Sequence, residues 1–132
     1  AELRTAREQG KQGVFLFMEM DDCPFCERMK ANVLNQSEVQ DAYRRDFLIY
    51  SVDVNGDLPM TDFAGKDTTE KAFALANRVR ATPTLLFFDL DGQLVTRYTG
   101  PTRDAAEFLL LARYVTEGAY RNQTFNAYKR TR

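Results

Sequence analysis

Cys23 and Cys26 are the only two cysteines in this chain of 132 residues, and only Pro24 and Phe25 separate them. Two thiols at that spacing can close a disulfide within one turn of helix and reopen it. A bridge over so short a loop removes little entropy from the unfolded chain, because that gain grows with loop length. The pair is therefore read as a reversible redox couple rather than a structural staple. The chain contains no histidine. That excludes Cys–His nucleophilic catalysis, histidine metal ligation and a histidine proton shuttle. Two thiolates also fall short of the three or four protein ligands of a zinc site.

The elements that must carry these cysteines are legible on either side. Val14-Phe15-Leu16-Phe17-Met18 is a continuous apolar run, too short for a helix and rich in strand formers, which predicts a strand buried on both faces. Cys26, Met29 and Val33 recur at helical spacing, so the motif opens a helix with Pro24 in its first turn, where a missing N–H costs nothing. Asp21 and Asp22 read as N-terminal caps of that helix. Ser37-x-x-Gln40 reads as a capping box that restarts a helix, with Val39, Ala42 and Tyr43 on one face. Residues 47–54 predict a second buried strand, and strand–helix–strand closes as a right-handed parallel crossover.

Residues 55–68 read as an irregular polar stretch, either a solvated connection or a partner-recognition loop. Ala72, Phe73, Ala76 and Val79 mark a helix from about 69 to 80. Runs at 84–89 and 93–98 flank Asp91-Gly92, a strong hairpin signal. Ala105, Phe108, Leu109, Ala112 and Val115 stripe a last long helix. A short helix is expected before residue 10. The tail 118–132 keeps Tyr120, Phe125 and Tyr128 and is expected to pack partly on the body, with residues 129–132 loose.

Composition bounds the rest. The length suits one domain with a real core, and 44% hydrophobic residues with ten phenylalanines suit a globular α/β protein. Lys+Arg 18 against Asp+Glu 19 provides no basic excess for nucleic acid. No apolar run approaches the roughly 20 residues of a membrane span. Asp53-x-Asn55-x-Asp57 resembles the opening of a calcium loop, but Leu58 and Ala64 stand where such a loop needs Gly and Glu. Calcium binding is rejected.

Cys23-Pro24-Phe25-Cys26 where strand meets helix, followed by Ala81-Thr82-Pro83-Thr84 before a strand, a hairpin and a final helix, resembles the thioredoxin fold over about residues 12–117. The resemblance implies a single domain over 1–132: a central mixed sheet of about four strands flanked by helices, with an extra N-terminal helix and a C-terminal extension at 118–132. The stretch Leu16 to Cys26, with Asp89-Leu90-Asp91-Gly92 and the tail around Gly118-Ala119-Tyr120 and Phe125, is most similar to bacterial periplasmic thioredoxins of the sulfur-oxidation type. It is less similar to the C-terminal domain of the membrane disulfide reductase.

That resemblance implies that Cys23 attacks and Cys26 resolves. The local physics agrees: a thiolate at a helix N-terminus is stabilised by unpaired N–H groups and the helix dipole, and Cys26 lies one turn deeper. It further implies that Pro83 follows a cis bond and that Thr82 docks the substrate strand through its backbone. Pro24 and Phe25 would lie at the rim of the site, with Phe25 either touching substrate or packing inward. Two positions depart from the family pattern. Asp22 replaces the usual Trp, and Phe17 stands where many thioredoxins carry a buried proton-accepting acid. Glu19 is the nearest replacement and the candidate proton shuttle, if the strand stays regular. The charges of Asp21 and Asp22 oppose ionisation of Cys23, which favours a reductant.

The expected activity is thiol–disulfide exchange: reduction of a client-protein disulfide through a mixed disulfide, with re-reduction by a membrane thiol electron donor and no bound cofactor or metal. Two alternatives remain: a glutaredoxin-like, glutathione-dependent reductase, although Asp21 and Asp22 stand where glutathione's carboxylates want cations, and a non-enzymatic redox-sensing or chaperone module. The opening at Ala1 without Met reads as a mature periplasmic form or a trimmed chain, with the cytoplasm left open. A monomer is expected.

Overall fold

The computed structural model describes residues 2–132. Helix α1 (Glu2–Glu8) leads to strand β1 (Gly13–Glu19), the motif, and helix α2 (Pro24–Met29), which runs on as one π turn over Lys30–Leu34. Helix α3 (Ser37–Asp46) and strand β2 (Phe47–Asp53) complete the first half. Then follow β3 (Pro59–Thr61), β4 (Asp67–Thr69), α4 (Glu70–Ala76), β5 (Thr84–Phe88), β6 (Leu94–Thr99), α5 (Ala105–Thr116), a short 3-10 turn and α6 (Phe125–Arg130). The main sheet has the order β2-β1-β5-β6. β2 runs parallel to β1, while β5 and β6 are antiparallel to their neighbours. This is the mixed four-stranded sheet flanked by helices that the resemblance implies.

β1 is central because its side chains can be buried on both faces. Phe15 and Phe17 join Tyr43, Phe47, Phe87 and Phe108 on one side, a cluster that also contains Cys23 and Cys26. Val14, Leu16 and Met18 face Val52, Phe73, Leu86 and Phe88 on the other. That split follows the period of two along a strand. The first cluster is anchored by Tyr43, whose ring stacks on Phe108 at 4.0 Å and whose hydroxyl donates to the Phe108 carbonyl at 2.7 Å. Burial pushes the Tyr43 phenol well up. Gly13 opens β1 where a Cβ would lie 2.1 Å from the Phe88 carbonyl oxygen, so no larger residue lets these strands approach. Gly92, at φ +80, completes the turn between β5 and β6, where the Asp89 carboxylate accepts from the Asp91 and Gln93 amides.

Several expectations are corrected. β2 is an edge strand, not a buried one: Ile49 and Tyr50 are each 41% exposed, because only β1 pairs with it. The stretch 55–68 is not irregular throughout: it carries β3 and the start of β4, a hairpin that closes at Thr69 with Pro59 opposite Thr69. The capping box is absent. Gln36 is the N-cap of α3 and makes no side-chain capping bond, while the Gln40 amide donates to the Leu34 carbonyl. Helix α4 stops at Ala76, short of Arg80, because Asn77 caps it and Arg78 turns left-handed at φ 57. Its buried residues are Phe73 and Ala74; Ala72 and Ala76 are exposed. The tail is tied down further than expected. Tyr128 is fully buried, Lys129 pairs with Glu107 at 2.8 Å, and Arg132 pairs with Glu117.

Candidate active site

The strand-to-helix junction presents the cysteines. Cys23 is the N-cap of α2, in an extended conformation, and its sulfur accepts the Cys26 amide at 3.1 Å. Pro24 occupies the first helical turn, as its missing N–H predicts. Cys23 and Cys26 are joined in a disulfide with Cα atoms 5.2 Å apart. Cys26 is sealed and Cys23 retains 4% exposure, so Cys23 is the sulfur nearer the surface. The expected caps are displaced: Cys23 itself caps the helix, and Asp21 and Asp22 lie in the preceding turn, exposed. Asp22 adopts φ 57, a left-handed conformation that Asp tolerates better than most residues.

The second wall comes from the loop before β5. Met18 pairs with Thr84, so the chain entering β5 passes beside the end of β1 and the motif. Thr82–Pro83 is cis. The Thr82 hydroxyl donates to the Cys23 sulfur at 3.2 Å, a contact that the expected backbone role of Thr82 does not include. The Thr84 hydroxyl donates to the Ala81 carbonyl at 2.6 Å and fixes the loop. Pro24 and Phe25 line the outside. Phe25 is 48% exposed, with the Arg28 guanidinium 5.1 Å from its ring centre. It therefore belongs to the surface of the site, not to the core.

Glu19 ends β1 in regular register opposite Asp53, and lines the same groove as Phe15 and Phe17. Its carboxylate pairs with Lys30 and accepts from the Ser51 hydroxyl. The hydrogen bond that Lys30 donates to Glu19 outweighs partial burial and raises the Lys30 ammonium above its ordinary range. Lys30 also caps α2, with its amide on the Cys26 carbonyl. Thus the Glu19–Lys30 pair sits at the end of the helix that carries Cys26. Among the described residues no cluster of His, Cys, Asp or Glu could hold a metal ion, and no helix is long and apolar enough to cross a membrane.

The family model described as a thioredoxin-like domain matches residues 1–116. The chain belongs to this thioredoxin-like family. Among solved structures, a thioredoxin from Thermus thermophilus is 29% identical with TM-score 0.67, covering 87% of this chain and 81% of that one. A thioredoxin-fold protein from Helicobacter pylori reaches TM-score 0.71 at 21% identity, covering 87% and 75%. The oxidised C-terminal domain of DsbD from Neisseria meningitidis reaches 0.60 at 24% identity, covering 85% and 87%. No curated protein matches the chain significantly. A thioredoxin-like domain with a closed Cys23–Cys26 pair at a helix N-terminus is a thiol–disulfide oxidoreductase.

Proposed function

We propose that this thioredoxin-like protein is a periplasmic reductase of client-protein disulfides, of the sulfur-oxidation type that the stretch Leu16 to Cys26 resembles. The observation that carries the reading is the setting of Cys23. Its sulfur receives an amide and a hydroxyl hydrogen bond and stands beside the exposed Pro24 and Phe25. Both donors favour the thiolate.

In the reduced protein the Cys23 thiolate attacks one sulfur of the client disulfide. A Cys23–client bond forms and the other client sulfur leaves as a thiolate that takes up a proton. The client strand pairs with the backbone of Thr82 during this step. Cys26 then loses its proton, to Glu19 in this reading, and attacks Cys23. The client's second sulfur leaves, and two electrons have passed from the dithiol to the client. A membrane thiol donor restores the dithiol; no bound cofactor is required. Asp21 and Asp22 oppose charge on Cys23 and favour the reducing direction, since low-pKa leaving thiols make a disulfide oxidising.

Cys26→Ser traps the mixed disulfide when the protein is exposed to periplasmic extract, and Cys23→Ser does not. A reduction potential near about −270 mV supports a reductase, and one near about −120 mV would make the protein an oxidant instead.

A further inference from the structure

Thr82 edges a depression of about 260 Å3 that it shares with Met20, Lys71, Leu75 and Arg80. Across Arg80 and Ala81 lies a second depression of about 470 Å3, walled by Arg78, Arg80, Arg97 and Thr84. The four cations are exposed. Among the described residues no carboxylate lines either depression, and none of the four takes part in an ion pair. The chain as a whole has a net charge of −1, so this is local segregation of charge. Asp21, Asp22 and Glu27 stand exposed at the motif, while the cations flank the Thr82 loop.

The backbone holds them in place. Arg78 is left-handed and donates its amide to the Leu75 carbonyl at 3.0 Å. Arg97, on β6, donates to the Asn77 carbonyl at the end of α4. Residues 78–82 are thus fixed at one end by α4 and β6, and at the other by the bond from Thr84 to Ala81.

We infer that Lys71, Arg78, Arg80 and Arg97 form a docking surface for an acidic, extended segment flanking the reacting cysteine of a client protein. This rests on the reductase reading above. A strand paired at Thr82 advances roughly 3.3 Å per residue, so client residues that follow the cysteine along that strand pass over the depressions in which Thr82 adjoins Lys71 and Arg80, and Arg80 adjoins Arg78 and Arg97. Met20 and Leu75, 37% and 68% exposed, offer apolar contact beside them. The unpaired cations raise the encounter rate of acidic segments, while backbone pairing holds the strand.

The test uses reduced protein and short peptides. Each carries one cysteine in a mixed disulfide with mercaptoethanol, flanked on both sides by glutamate, serine or lysine. Rates are read relative to neutral hydroxyethyl disulfide in the same protein, for wild type and for K71E/R80E. In low salt the glutamate peptide is expected to exceed the lysine peptide by about tenfold or more. The gap closes at roughly 0.5 M salt, and the double variant reverses the order. The variant also separates the protein's preference from the peptides' own leaving tendency. Equal rates, or the same order in both proteins, would overturn the docking surface. So would glutathione disulfide reacting faster than the glutamate peptide, which would assign the cations to a small anionic thiol. Failure of wild type to reduce hydroxyethyl disulfide would instead remove the reductase reading, and this inference with it.

Discussion

The hydroxyl of Thr82 donates to the sulfur of Cys23 at 3.2 Å, although the two lie 59 positions apart in the chain. The cause is sheet register. Thr84 pairs with Met18, so the loop entering β5 lies against the turn leaving β1. One donor from each half of the fold, the Cys26 amide and the Thr82 hydroxyl, then converges on the same sulfur.

Replacing Thr82 by Val keeps the shape and removes the hydroxyl. A hydrogen bond of about 1 kcal/mol corresponds to a rise of about 0.7 unit in the Cys23 thiol pKa, and makes the potential about 20 mV more negative. Alkylation of Cys23 against pH, measured in a Cys26→Ser background, reads the first; equilibration with glutathione in the two-cysteine protein reads the second. An unchanged alkylation profile would show that the hydroxyl does not stabilise the thiolate.

Asp22→Asn retains a residue that accepts the left-handed backbone but removes a negative charge next to Cys23. The thiol pKa is expected to fall by a few tenths of a unit, with the difference shrinking as salt screens it. The same alkylation experiment at two ionic strengths checks this. A rise in pKa would contradict the role given to this carboxylate.

Glu19→Gln tests proton transfer. The mixed disulfide of Cys23 with a small thiol should form at the wild-type rate but resolve at least about a hundredfold more slowly near neutral pH. Stopped-flow release of the thiol separates the steps. Equal resolution rates would leave the Glu19–Lys30 pair as a clasp between β1 and the helical run after Cys26.

Glu107 is 5% exposed and accepts from Lys129, the Arg103 amide and the Tyr98 hydroxyl. Burial raises its pKa, but these three partners outweigh burial and hold the carboxyl below its ordinary value. A depressed folded-state pKa stabilises the fold above the unfolded value and ceases to do so as pH falls through the folded value. Glu107→Gln should therefore lose about 2 kcal/mol at pH 7, with the gap to wild type narrowing below about pH 4.3. Urea unfolding at several pH values measures it. Burial, then Glu107, also pushes Tyr98 up to about 12. Its alkaline titration should move down in the variant.

Tyr128 is fully buried, packs on Tyr114 at 5.3 Å between ring centres, and donates to Glu117 at 2.9 Å. Tyr128→Ala should destabilise the protein by about 3–5 kcal/mol, and Tyr128→Phe by about 1 kcal/mol. Urea midpoints order the two. A loss under about 1 kcal/mol for the alanine variant would show that the tail is not part of the cooperative unit.

Much of this was readable residue by residue. The apolar run at 14–18 marks β1 because both of its faces are covered, and Asp91-Gly92 marks the hairpin because its turn needs a left-handed residue. Other features were hidden for physical reasons. Leu48-Ile49-Tyr50 has the composition of an interior strand, yet its exposure depends on whether a second neighbour exists. β3 and β4 span three residues each, too few for alternation to show. Asp21 and Asp22 have good capping chemistry, but Cys23 takes the cap.

The cysteine pair, its place between strand and helix, the proline that follows a threonine far downstream and the absence of histidine belong to the linear order of residues. They limit the chemistry to sulfur exchange, since local spacing decides which atoms a single turn can join. Long-range packing decided the rest. Pairing of β5 with β1 put the Thr82 hydroxyl on Cys23, pairing of β2 with β1 and the turn of helix after Cys26 set Ser51 and Lys30 on Glu19, and cations from α4, the loop and β6 were gathered around the Thr82 loop. Such contacts depend on how strands align across the sheet, which neither periodicity nor composition records.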